Sequence, residues 1–203
     1  MQSDTIYHIY NRANGSENLF RNDENYRYFL QQWVKYTESI AETYAYCLMS
    51  NHFHFLIRTL GEDQLKKNYS TLGKFQSFQE LMEFRFSKQF ANLFSSYTQA
   101  YNKMYNRRGS LFTPNFKKKE VDTDEYLTNI IFYIHHNPVH HGFTNDIEDW
   151  PFCSYLKILS GKDAFLNTKE IIDWFGSKNA FIQFHEESFE NVKNIEKMES
   201  KYT

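Results

Sequence analysis

The run TYAYCLMSNHFHFLIR, residues 43–58, constrains the fold more than any other part of the sequence. It is apolar and aromatic except at Ser50-Asn51, and runs of this composition favour β-strands. It therefore predicts one long strand, or two strands joined at Ser50-Asn51. His52 and His54 lie two residues apart within it, so on a strand their side chains point to the same face.

The flanking sequence alternates between strand-like and helix-like patterns. Asn22 is the expected N-cap of the first helix. Pro138 disfavours helical geometry at Asn137, so the helix over 123–137 should end there. Residues 61–80 show no period and predict a linker. The order predicts an α+β fold, a ferredoxin-like or RRM-like antiparallel sheet with helices packed on it. The other predicted elements are strands over 5–12 and 110–121, and helices from Asn22 onward and over 86–105, 123–137, 168–176 and much of 177–203.

Charge is unevenly distributed along the chain. The net charge of −2 argues against a general binder of polyanions. Residues 103–119, however, carry six basic and no acidic side chains, so the remainder carries −8. A local basic segment on an acidic body suits a protein that grips a phosphate backbone along one path, although a solvated basic turn is an equal alternative.

The sequence also indicates a cellular compartment. Cys47 and Cys153 stand in apolar contexts without a C-x-x-C pattern, which favours buried, reduced thiols. The first residues show no secretory signal pattern, and no apolar stretch is long enough to span a bilayer. We therefore expect a cytoplasmic protein without membrane contact.

Two groups of residues could carry chemistry. His52 and His54 could hold one metal ion from a rigid strand, or they could be two half-buried histidines. Tyr133 and Asn137 are four residues apart, so they share one face of a helix. The tyrosine could equally pack on the core while the asparagine ends the helix, and His136 could compete with Asn137 as a ligand.

Taken together, these motifs resemble the single-tyrosine HUH transposases, and most closely the REP-associated tyrosine transposases. The resemblance covers residues 5–156, and its most specific part is the block around the histidine pair. It predicts a transposase domain over 1–156 and a helical extension over 157–203. The matching segments, in the family's order, are YHIYNR, YCLMSNHFHFLI, GSLFTPNFKK, YIHHNPV and DWPFCSY.

The resemblance implies a role for each matching residue. His52 and His54 correspond to the pair that binds a divalent ion, Tyr133 to the nucleophile, and Asn137 to a third, amide-type ligand. Two departures stand out. The HHG after NPV replaces a segment in which many relatives have a basic residue, and Ser50 replaces a proline.

The implied activity is cleavage and rejoining of single-stranded or hairpin DNA through a 5′-phosphotyrosine intermediate. A phenol has a pKa near ~10, so it needs help from a cation to attack a phosphodiester at neutral pH. Imidazole and amide ligands are compatible with Mg²⁺ or Mn²⁺. The residues expected to contact DNA are Arg12, Arg107, Arg108, Lys117, Lys118 and Lys119.

Two other functions fit the same residues. A DNA-binding module that has lost catalysis would explain the departure after NPV and the acidic body. A metal-dependent phosphodiesterase would use water as its nucleophile while Tyr133 only packs. The resemblance is compatible with a monomer or a homodimer.

Overall fold

The computed structural model describes residues 1–69, 73 and 75–186, which form a four-stranded sheet with helices on both faces. The strands are β1 (Ile6–Arg12), β2 (Ala41–Leu48), β3 (His52–Thr59) and β4 (Lys117–Glu120). The helices are α1 (Asp23–Thr37), α2 (Glu62–Asn68), α3 (Phe78–Met104), α4 (Asp124–His140), α5 (Tyr155–Ser160), α6 (Thr168–Phe175) and α7 (Lys178–Glu186).

The strand order is β2-β3-β1-β4, and every neighbouring pair is antiparallel. With α1 between β1 and β2, and α3 between β3 and β4, this is the split βαβ arrangement of ferredoxin-like folds. The predicted fold class is therefore confirmed.

The run 43–58 forms two strands joined at Ser50-Asn51, which confirms the second of the two predicted alternatives. The hairpin is closed where the Met49 N–H donates to the His52 carbonyl at 2.8 Å. This turn fixes the register of β3, and with it the face that carries both histidines.

One face of the sheet holds the aromatic core. Trp33 of α1 is fully buried and stacks on Phe55 with ring centroids 3.4 Å apart. The Trp33 indole N–H donates to Thr43 Oγ1 at 3.0 Å, so its polar atom is also satisfied. Alternation along β3 places Phe53 and Phe55 on this face and directs the two histidines to the opposite face, where α4 packs.

Three predicted boundaries are wrong. The segment 61–80 contains α2 and the start of α3, because Gly61 and Ser77 begin helices that the mixed sequence conceals. Between 110 and 121 only β4 is a strand. Helix α4 continues past Asn137 to His140 with Pro138 in its last turn. The proline removes one N–H donor, but the helix closes beyond it, where the His141 N–H donates to the Asn137 carbonyl at 3.0 Å.

The C-terminal helices pack onto the same core. Ile171 of α6 and Phe181 of α7 are fully buried. The domain boundary at residue 156 stays a prediction, although that position lies inside α5. The helix expected across 177–203 is observed as α7, and residues 187–203 lie outside the described part. In the described residues, no helix combines the length and apolar character that crossing a membrane requires.

Candidate active site

A pocket of 760 Å³ opens between the sheet and the face of α4. It contains most of the residues that the sequence singled out, together with several that it did not. Histidines, tyrosines and cations line it, a mixture suited to an anionic aromatic ligand. The lining residues are His8, Tyr10, Asn11, Arg12, Asn51, His52, His54, Thr113, Pro114, Lys117, Lys119, Tyr126, Ile130, Tyr133, His141 and Phe143.

His52 and His54 lie on the same face of β3, with ring centroids 5.3 Å apart. Each has a partner at its Nδ1 atom. His52 Nδ1 is 2.8 Å from Asn51 Oδ1, and His54 Nδ1 is 2.9 Å from His8 Nε2. Such partners fix the ring orientation and tautomer of metal-binding histidines. The arrangement leaves the Nε2 atom of each ring as its candidate ligand atom.

Burial keeps the inner histidines neutral. It lowers the pKa of His8 to about 3, with a further contribution from the positive charge of Lys119. Burial, followed by the charges of His8, His52 and His141, also lowers the pKa of His54 well below its ordinary value. A neutral imidazole retains a lone pair on one nitrogen, which is the form that binds metal ions.

Asn137 meets His52 in an arrangement that favours a cation. The two ring nitrogens of His52 face two amide oxygens, Nδ1 that of Asn51 at 2.8 Å and Nε2 that of Asn137 at 2.9 Å. An amide oxygen only accepts, and a neutral imidazole carries a single N–H. A neutral His52 can therefore donate to one of the two oxygens, and a second proton or a metal ion would satisfy the other contact. The buried Asn137 Nδ2 has no hydrogen-bond partner among residues 1–69, 73 and 75–186.

His52 Nε2 and Asn137 Oδ1 are spaced as two ligands of one divalent ion would be. The 2.9 Å separation is close to the spacing of about 3 Å between adjacent ligands in an octahedral site with bonds of ~2.1 Å. No three His, Cys, Asp or Glu side chains of the described residues gather in a metal-binding arrangement. A site here would therefore consist of two imidazoles and an amide, with the remaining ligands supplied from outside the chain.

Tyr133 lies on α4 beside the histidines. Its ring meets the ring of His54 edge to face, with centroids 5.2 Å apart, and that of His8 at 6.3 Å. The side chain is only 6% exposed, yet it lines the pocket. The structure thus brings together Tyr133, Asn137 and both strand histidines.

Hydrogen bonds between buried side chains anchor α4 behind this site. His135 contributes both ring nitrogens, one to His185 Nε2 and one to Ser154 Oγ, each at 2.9 Å. Ser154 Oγ also accepts from the Tyr46 N–H of β2, and His185 Nδ1 donates to the Phe181 carbonyl. The chain of bonds ties α4 to β2 and α7, and so fixes the helix that carries Tyr133 and Asn137.

Acidification is expected to destabilise the protein partly through His185, whose pKa burial lowers to about 3. The unfolded chain takes up a proton near pH ~6.5, so the free energy of unfolding falls as the pH drops from there toward about 3. One such residue accounts for ~2 kcal/mol between pH 6.5 and pH 5. Urea unfolding across this range should show a loss in wild type that exceeds the loss in His185→Gln by about that amount. Equal losses in both proteins would contradict the expectation.

The six basic candidates separate into two groups. Arg12, Lys117 and Lys119 line the pocket, because alternation on β1 and β4 turns them toward it. Lys118 is exposed and points to the other side of β4, and Arg108 is exposed in the loop after α3.

Arg107 is bound by an ion pair and hydrogen bonds to other parts of the chain. Its guanidinium pairs with Glu17 at 2.9 Å and donates to Asn102 and to the carbonyls of Gly109 and Ser110. These bonds hold the loop after α3 in place. The DNA contacts of all six basic residues stay predictions.

Among the pocket residues that the sequence patterns do not predict, three matter most for the site. The sequence pattern places His8 only on a strand, and it places His141 only in the segment after NPV that departs from the family. Phe143 carried no signal except its place after the helix-ending Gly142. Their positions depend on strand register and on the geometry of the helix end, which residue patterns do not show.

Comparison with known proteins supports the predicted resemblance. The chain is 25% identical over 114 residues to a curated Haemophilus influenzae protein named as a REP-associated tyrosine transposase. The match spans 56% of this chain and 58% of the relative's length. The chain resembles this family. No protein-family model matches it.

The fold gives a second comparison. A solved REP-associated tyrosine transposase bound to a REP hairpin superposes with a TM-score of 0.58 at 17% sequence identity. The superposition covers 78% of this chain and 81% of the other. At that identity the likeness establishes the fold, and it agrees with the resemblance of the sequence to REP-associated tyrosine transposases.

Proposed function

We propose that the protein is a DNA strand transferase that cleaves and rejoins single-stranded or hairpin DNA through Tyr133. The observation that carries the proposal is that His52 Nε2 lies 2.9 Å from Asn137 Oδ1, beside a pocket lined by His52, His54 and Tyr133. An imidazole nitrogen and an amide oxygen at this spacing can act as neighbouring ligands of one cation.

His52, His54 and Asn137 would hold a divalent ion, Mg²⁺ or Mn²⁺. Asn51 and His8 would orient the two imidazoles from their Nδ1 sides. The ion would polarise the scissile phosphate and neutralise charge that develops on it. Arg12, Lys117 and Lys119 add positive charge along the same wall of the pocket, where a DNA backbone would pass.

The chemical step transfers a phosphoryl group without consuming an energy source. Tyr133 Oη attacks the phosphorus and its proton passes to solvent, while the bond from phosphorus to the 3′-oxygen breaks. The 3′-oxygen takes up a proton and leaves as a free 3′-OH. The 5′-phosphate stays esterified to Tyr133, so attack by a 3′-OH can later restore a phosphodiester.

The low exposure of Tyr133 favours one alternative, a DNA-binding module without catalysis. A phenol that is 6% exposed and packed edge-on against His54 is also what a structural tyrosine would show. On either proposal the partner is DNA, and we expect a cytoplasmic location. Monomeric and homodimeric states both remain compatible with the site.

A covalent-capture experiment tests the proposal. Full-length protein is incubated with labelled hairpin DNAs that carry randomised single-stranded flanks, in Mn²⁺, in Mg²⁺ and in EDTA. We expect a denaturant-resistant protein–DNA band with either metal and none in EDTA. The strand on the 3′ side of the cut should remain on the protein, and the released fragment should carry a 3′-OH that a polymerase can extend. Bound DNA without any such band would favour the binding module.

A further inference from the structure

Helix α4 ends in a turn that presents two side chains to the pocket. The Gly142 N–H donates to the Val139 carbonyl at 3.0 Å, and the Phe143 N–H donates to the Pro138 carbonyl at 2.8 Å. With Gly142 at φ +69°, these two bonds form a Schellman motif. The glycine is needed at this φ, and the motif fixes the positions of His141 and Phe143.

Phe143 is an exposed aromatic ring at the end of helix α4 that lines the pocket. It is 44% exposed and stands outside the hydrophobic core of the described residues. Trp150 supports it edge to face with centroids 5.5 Å apart, and Trp150 is itself anchored by its indole N–H on the Leu48 carbonyl at 2.9 Å. A supported but exposed ring is the kind of surface on which an unpaired base stacks.

His141 lies on the other side of the same glycine. It is exposed, lines the pocket, and its ring centroid is 5.0 Å from that of His52. An imidazole N–H can donate to a phosphate oxygen. The ring of Phe143 and the donor of His141 thus provide, on one short turn, contacts for the two parts of a nucleotide that stay accessible in a single strand.

We propose that the turn His141–Gly142–Phe143 is a subsite for one unpaired nucleotide next to the phosphodiester at Tyr133. Phe143 stacks on its base, and His141 donates to its phosphate. The turn adjoins His52, and Tyr133 adjoins His54, so the subsite borders the proposed cleavage position. The inference rests on the proposed function for its DNA ligand. Stacking accepts any base, so little base preference is expected here.

Binding measurements without cleavage test this subsite. Tyr133→Phe protein is titrated with fluorescent hairpins, and a single abasic nucleotide is stepped along the unpaired tail. On an intact tail, Phe143→Ala should weaken binding about tenfold and Phe143→Trp should restore it. At one abasic position Phe143→Ala should have no further effect, because the base that it contacts is gone. His141→Ala should still weaken binding there, because the phosphate remains.

The control is Leu156→Ala, which removes an apolar side chain of equal exposure (45%) on α5. It should leave binding unchanged, and thermal unfolding should show that all variants are folded. The subsite is refuted if Phe143→Ala has no effect, or if its effect is the same at every abasic position. This outcome is separate from covalent capture. A position-specific effect without an adduct keeps the subsite and rejects catalysis, whereas an adduct with a uniform effect does the reverse.

Discussion

Substituting Tyr133 by Phe is expected to eliminate the covalent protein–DNA adduct and to lower strand cleavage by at least about 10³-fold, as loss of a nucleophile does in other enzymes. Phe keeps the ring that packs edge-on against His54 and removes only the hydroxyl oxygen. The fold and the affinity for DNA should therefore be retained. Gel electrophoresis under denaturing conditions measures the adduct, and single-turnover cleavage of labelled hairpin DNA measures the rate.

A matched control is Tyr155→Phe, the same substitution at a buried tyrosine of α5 outside the pocket lining. It should leave adduct formation unchanged. The outcomes for Tyr133→Phe separate the three functions. Cleavage that survives without an adduct selects a phosphodiesterase that uses water. If wild type binds DNA but neither protein cleaves it, the chain is a binding module.

The sequence predicts which residues share one face of a strand or helix, but it does not predict the register in which the strands pair. Period two on β3 places His52 and His54 together, and period 3.6 on α4 places Tyr133 and Asn137 together. The convergence of these two pairs came from the family resemblance, because no local pattern shows where α4 packs. His8 was missed because it pairs with Leu56 and only meets His54 diagonally, through the register of β1 on β3.

The end of α4 shows that one proline does not determine where a helix ends. Pro138 predicted a helix that stops at Asn137, yet the helix runs on to His140 and closes in the turn at Gly142. The extra turn keeps Asn137 inside regular helix, one turn after Tyr133. It also carries His141 into the pocket. The family resemblance indicated only that a basic residue is missing in this segment.

Asn137→Leu is expected to separate stability from function. The substitution removes a buried amide whose Nδ2 has no partner among the described residues, so the free energy of unfolding should stay the same or rise by about 1 kcal/mol. It also removes the oxygen that faces His52 Nε2. Mn²⁺ affinity and adduct formation should therefore fall by at least about 100-fold, the upper range for losing a residue that only orients a ligand. Urea unfolding and calorimetric titration with Mn²⁺ measure the two effects.

The control is Asn129→Leu, the same change at a buried position two turns earlier on the same helix. It should leave Mn²⁺ binding unaltered. If Asn137 only terminates the helix, Asn137→Leu should keep both metal binding and adduct formation, and the ligand assignment would be wrong. Residues selected for stability alone seldom leave a buried donor unsatisfied. A binding site keeps such a group because the free energy of ligand binding offsets its destabilising effect. A variant that is more stable but inactive would therefore show that the amide is kept for the ion.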